Sequence, residues 1–91
     1  MSLSNTSTTV KYTDAELRTL IEEYLVQQKT TFTLQGVCSY VLYWAVEDGK
    51  VAVTNALQPS DQDRVKSVLA SIVRDGRICL TESDGTTYVK Q

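Results

Sequence analysis

Residues 64–90 read RVKSVLASIVRDGRICLTESDGTTYVK, and the reading of this stretch decides the fold. Its first half places Val65, Val68, Leu69, Ile72 and Val73 at spacings of three and four, a stripe down one side of a helix. Gln62, Lys66, Ser67, Ala70 and Arg74 fall on the opposite side, which is small, polar and mildly basic. Gly76 stops the helix, since glycine takes the left-handed conformation that a residue just past a helix end adopts. The second half alternates. Asp84-Gly85 is a strong hairpin signal, because a type I′ turn needs positive φ at both central residues. With those two at the tip, Ser83 faces Thr86, Glu82 faces Thr87, Thr81 faces Tyr88, Leu80 faces Val89, and Cys79 faces Lys90. Opposed residues share a face. The expected core side is therefore Ile78, Leu80 and Val89, and the expected outer side Cys79, Thr81, Tyr88 and Lys90.

Working back from this stretch, Pro59 disfavours helix at Gln58 and prepares a fresh start. Ser60 with Asp63 forms a capping signature, so the third helix is expected over 61–75. Before it, LQGVCSYVLYWAVEDGK (34–50) predicts a second helix over 34–48, with Thr33 as N-cap and Gly49 as its stop. Leu34, Val37, Val41, Trp44 and Ala45 make its core face, while Leu42, Tyr43 and Val46 lie off that face. A helix apolar nearly all round is either central or has a second surface to cover. A partner, such as a second copy of the chain, would cover it. So would the chain at 51–53 and the N-terminal tail.

The segment KTTFTLQ (29–35) is β-branched, short and extended, with Phe32 directed to the core. Upstream of it, TDAELRTLIEEYLVQQ opens on Thr13 with Glu16 three residues on, a capping box. Leu17, Leu20, Ile21, Tyr24 and Leu25 then form one face of a helix expected over 14–28. Residues 1–11 are rich in Ser and Thr and read as a flexible tail, from which Val10 can pack on the first helix. A single domain is expected over 12–91.

Bulk properties narrow the function classes. The chain has 91 residues, 9 basic against 11 acidic, and a net charge of −2. Phosphate binding needs Lys and Arg, so the balance argues against a strongly basic nucleic-acid binder and leaves room only for a local patch. There is no histidine, which excludes a histidine-dependent catalytic triad and starves a tetrahedral zinc site of ligands. The two cysteines, Cys38 and Cys79, lack CxxC spacing and read as small half-buried hydrophobes. Cys38 sits among apolar residues, which raises a thiol pKa rather than activating it. No metal, cofactor or enzyme activity is expected. No apolar run reaches about 18 residues, so no membrane span is expected. The polar opening MSLSNTSTTV does not read as a signal peptide, and the expected compartment is the cytoplasm.

The order helix, extended segment, helix, long turn, helix and terminal hairpin resembles a winged-helix domain, a helix-turn-helix relative with a β-hairpin wing. The resemblance covers roughly residues 12–91 and rests on element order and spacing, most specifically in RVKSVLASIVRDGRICLTESDGTTYVK. It implies an α+β, mainly α fold of three helices with a C-terminal wing. Members commonly set the third helix in the DNA major groove and the wing on the backbone, and many others have become protein-binding modules. The resemblance makes Gln62, Lys66, Ser67 and Arg74 the groove-facing set, and Arg77, Tyr88 and Lys90 the wing contacts. Asp61, Asp63, Glu82 and Asp84 depart from a DNA-binding pattern, although helix capping and the helix dipole account for the first two.

Two functions compete on this reading. The first is a small DNA-binding transcriptional regulator on double-stranded DNA, dimeric through Leu42, Tyr43 and Val46 on the second helix. The second is a winged-helix module that binds protein through those residues. The discriminator is whether Lys66, Arg74, Arg77 and Lys90 converge on one surface free of carboxylates.

Overall fold

The computed structural model describes residues 9–52, 56–81 and 87–90. Three helices and a three-stranded antiparallel sheet make an α+β, mainly helical fold, in the order α1 (Asp14–Gln27), β1 (Thr31–Thr33), α2 (Leu34–Glu47), α3 (Pro59–Arg74), β2 (Ile78–Leu80) and β3 (Thr87–Lys90). The expected capping box opens α1: Glu16 donates its backbone N–H to Thr13 Oγ1 at 3.1 Å, and Thr13 N–H returns to Glu16 Oε1 at 2.9 Å. Thr33 caps α2 by accepting the N–H of Gly36 at 3.0 Å. Gly49 and Gly76 follow the ends of α2 and α3 at φ 71° and 80°, where a side chain would be strained.

One helix start differs from expectation. α3 begins at Pro59, with Gln58 as N-cap and no side-chain cap. Proline at the first helical position has no N–H to leave unpaired and its φ already suits a helix, so it outcompetes a start at Ser60. Asp61 stands in the first turn of α3 with its side chain turned inward, where it is 2% exposed.

The core joins Leu17, Ile21 and Leu25 of α1 to Val37, Val41 and Ala45 of α2 and Val65, Leu69 and Ile72 of α3. Full burial of a valine, leucine or isoleucine side chain contributes about 1.5–3 kcal/mol. α1 and α2 run antiparallel. Tyr12, just before α1, bonds Asp48 just past α2, while Gln27 at the end of α1 reaches Tyr40 in the middle of α2 and the Tyr24 hydroxyl lies against Gly36 near its start. The N-terminal segment is anchored as well: Val10 is buried, and Lys11 N–H donates to the Lys50 carbonyl at 2.9 Å. The folded chain thus reaches back into the expected 1–11 tail, of which residues 1–8 lie outside the described ones.

The sheet corrects the expected hairpin register. β1 pairs with β3 to make a third strand, in the order β1-β3-β2. Against β2, Leu80 faces Tyr88, Cys79 faces Val89 and Ile78 faces Lys90. That is one residue away from the pairing a two-residue Asp84-Gly85 turn would set. The turn itself, with Ser83, Thr86 and Glu82, lies outside the described residues. A one-residue slip exchanges the two faces of a strand. Tyr88 therefore points into the core at 6% exposure, while Val89 is only half-buried. The cause is β1: Phe32 offers Tyr88 a ring to stack on, centroids 5.3 Å apart and planes 7° from parallel. An aromatic pair is worth about 0.5–1.5 kcal/mol beyond its buried area, and Val89 on the same side would supply none of it.

Candidate functional site

The seven residues expected to contact DNA are scattered by the fold. Lys66, Ser67 and Arg74 are exposed along the outer face of α3, with Asp63 exposed among them. Gln62 is half-buried and donates its amide to the Leu57 carbonyl at 3.0 Å. Arg77 is engaged by both carboxylate oxygens of Glu22, at 2.6 Å from Nη1 to Oε2 and by a second contact from Nη2 to Oε1. The pairing holds the Glu22 carboxyl below its ordinary range and raises the Arg77 guanidinium, the hydrogen bonds being the leading cause of each. Arg18 lies beside this pair, 3.4 Å from Glu22 and 3.1 Å from Asp75. Lys90 donates to the carbonyls of Leu25 and Gln28 at 2.9 Å each, closing the C-terminal end of α1. Tyr88, placed on the outer wing face by the expected register, is corrected to a core residue, and burial pushes its hydroxyl pKa up. Lys66, Ser67 and Arg74 are what remains of the expected surface.

Asp61 faces the N-terminal segment. It accepts the Val10 N–H at 2.9 Å and lies 3.3 Å from Arg64. Arg64 in turn donates to the carbonyls of Val10 at 3.0 Å and Tyr12 at 2.5 Å, and pairs with Asp14 at 3.3 Å. This clasp ties residues 10–12 to α3. Arg64 gave no sign of the role in the sequence, because its partners are backbone carbonyls more than fifty residues away.

The second helix carries a different surface. Leu42 and Val46 are half-buried, and Leu42 lines an open cleft of about 450 Å³ with Leu34, Cys38, Leu57 and Gln62. Burial raises the Cys38 thiol pKa, partly offset by the Lys66 charge nearby. Tyr43 is 58% exposed, and Trp44, expected in the core, is 38% exposed. Their rings meet edge to face, centroids 5.3 Å apart. Tyr40 stands 6.4 Å from Trp44 and 5.1 Å from Tyr24 of α1, so four aromatic rings run from the α1–α2 seam out to solvent. Trp44 escapes the core because Tyr40, one turn earlier on the same flank, takes the aromatic contact that α1 offers through Tyr24. The signal in the sequence was this i, i+4 pair: two large rings on one flank exceed what a single facing helix covers.

Among the described residues no group of three or more His, Cys, Asp or Glu side chains is placed to hold a metal ion, and no helix is long and apolar enough to cross a membrane. Comparison of the chain with protein-family models, with curated proteins and with solved structures gave no match.

Proposed function

We propose that this chain is a winged-helix-type interaction module that binds a protein partner through the exposed aromatic face of α2. The single observation that carries the reading is the Tyr43–Trp44 pair, 58% and 38% exposed at the solvent end of an aromatic series. Tyrosine and tryptophan are enriched where partner surfaces are desolvated, because each brings a large rigid area with few rotamers to order. The order of helices and strands supports the winged-helix reading. The charge arrangement favours protein over DNA: Arg77 is committed to Glu22, and Lys90 to helix carbonyls.

The DNA reading keeps one specific support, the exposed row Lys66, Ser67 and Arg74 on α3. With so few cations its affinity would be modest and steeply salt-dependent. A homodimer through α2 is a third arrangement, and mass in solution decides it.

The experiment is selection of displayed peptides on the intact chain, with a Tyr43→Ser/Trp44→Ser variant as the counter-target. The two residues are 58% and 38% exposed, and circular dichroism verifies that the variant is folded. The expected outcome is peptides that bind the chain and ignore the variant. Enriched peptides that bind both equally, together with salt-sensitive binding of a random-sequence duplex that shifts the amides of Lys66, Ser67 and Arg74, would overturn the proposal in favour of DNA.

A further inference from the structure

We infer that the partner segment taken by the α2 face is basic, a stretch carrying arginine or lysine, and not a second copy of this chain. The inference rests on the reading of α2 as a docking face and adds the chemistry of what docks there.

The argument is one of charge around the aromatic rings. Glu47 follows Tyr43 and Trp44 by one helical turn and is exposed. Asp48 is exposed beside it, one carboxylate oxygen accepting the Tyr12 hydroxyl at 2.5 Å. From α1, Glu16 and Glu23 are exposed on the flank that carries Gln27, and Gln27 bonds Tyr40, so this flank borders the aromatic series. Glu16 is close enough to Asp48 for the two charges to interact. Two ammonium groups stand at the same end. Lys50 interacts with Glu16, and Lys11 is joined to Lys50 through the backbone. Four carboxylates against two cations leave the face negative.

Tyr43 and Trp44 add a second attraction of the same sign. A guanidinium or ammonium over an aromatic face is held by the ring quadrupole, and tryptophan is the best of the aromatics for this. In the edge-to-face contact one of the two rings offers only an edge, and Tyr43 stays 58% and Trp44 38% exposed. Rings that hold cations and carboxylates that attract them therefore occupy one surface. The exposed charged row on α3 is mixed, with Asp63 standing among Lys66 and Arg74.

A second copy fits poorly. A two-fold contact pairs the same patch with itself, so a face that is negative as a whole would meet a second negative face.

Trp44 is the sole tryptophan of the chain, so its emission reports binding at this surface directly. The test titrates the intact chain, at low salt, with three synthetic peptides of equal length built on Gly-Leu-Arg, Gly-Leu-Gln and Gly-Leu-Glu repeats. The expected result is a saturable change in Trp44 emission with the arginine peptide at roughly fivefold or more tighter binding than the glutamine peptide, as one or two cation–π contacts provide. The glutamate peptide leaves the emission unchanged. Glu47→Gln, an exposed substitution, weakens the arginine peptide by roughly twofold to fivefold, the scale of one exposed charge pair. Equal response to the arginine and glutamine peptides overturns the charge inference while the docking reading stands. Silence from all three also overturns the charge inference, and the display selection then decides the docking reading separately. A dimeric mass that falls to the monomer in Tyr43→Ser overturns it in favour of a second copy.

Discussion

The Tyr88 ring lies flat on that of Phe32, with centroids 5.3 Å apart and planes 7° from parallel. This contact lies in the middle of the β1–β3 ladder, on the side of β3 that faces the core. It also removes Tyr88 from the surface that a nucleic acid could reach. The residue expected to contact a ligand is part of the buried side of the sheet.

The register makes a direct prediction. Tyr88→Ala removes a buried aromatic ring and destabilises the fold by about 3–5 kcal/mol. Val89→Lys alters a half-buried position on the other face and costs about 1 kcal/mol or less. Urea unfolding of the two variants ranks them. A larger loss in Val89→Lys would mean that Leu80 opposes Val89 after all.

The Glu22–Arg77 pair predicts an acid dependence. Glu22 is held below the ordinary carboxyl range, first by its hydrogen bonds from Arg77. A carboxyl lowered in the fold adds stability that is fully present above its unfolded pKa, near about 4.3, and is lost as pH falls through the folded value. Glu22→Gln should therefore be less stable than the parent at pH 7 by about 0.5–1 kcal/mol, the pair being partly exposed. The difference should shrink as pH drops below the ordinary glutamate range. Denaturation midpoints at neutral and acid pH measure it, and a gap that stays constant with pH would show that the charge of Glu22 is not its source.

The clasp at the start of the chain predicts a local effect. Asp61→Ala leaves the Val10 N–H and part of the Arg64 guanidinium without their carboxylate. Leaving a buried group unpaired costs about 1–3 kcal/mol. The loss should fall first on residues 10–12. Amide exchange at Val10 should accelerate strongly, while Leu69 in the middle of α3 keeps its protection up to the global limit. Uniform acceleration across both would mean that the N-terminal segment and the core open as one unit.

Much of the fold was legible because its signals are local. The Thr13–Glu16 capping box, the Thr33 cap, the stripe from Val65 to Val73 and the glycine stops at Gly49 and Gly76 each act within one or two helical turns. A pattern of residue types is enough to read them. The candidate surface was legible only in part. Tyr43 was singled out and is exposed, but Leu42 and Val46 are half-buried, and Trp44 was assigned to the core. Periodicity says which positions lie on a helix flank. It does not say how far the neighbouring helix extends over that flank.

The sequence by itself determined where the helices lie, how α1 and α2 start, where all three stop, and that a strand pair follows α3. These depend on hydrogen bonds, backbone freedom and side-chain spacing within short windows. The tertiary structure alone decided the strand register and the fate of the charged groups. β1 arrives beside β3 from far along the chain and brings Phe32 to Tyr88, and that contact outweighs the local preference of a two-residue turn. Glu22 reaches Arg77, and Lys90 reaches the end of α1, across more than fifty residues. A cation that the sequence offers to a partner is then spent inside the fold, because a fixed intramolecular acceptor needs no further association to reach it.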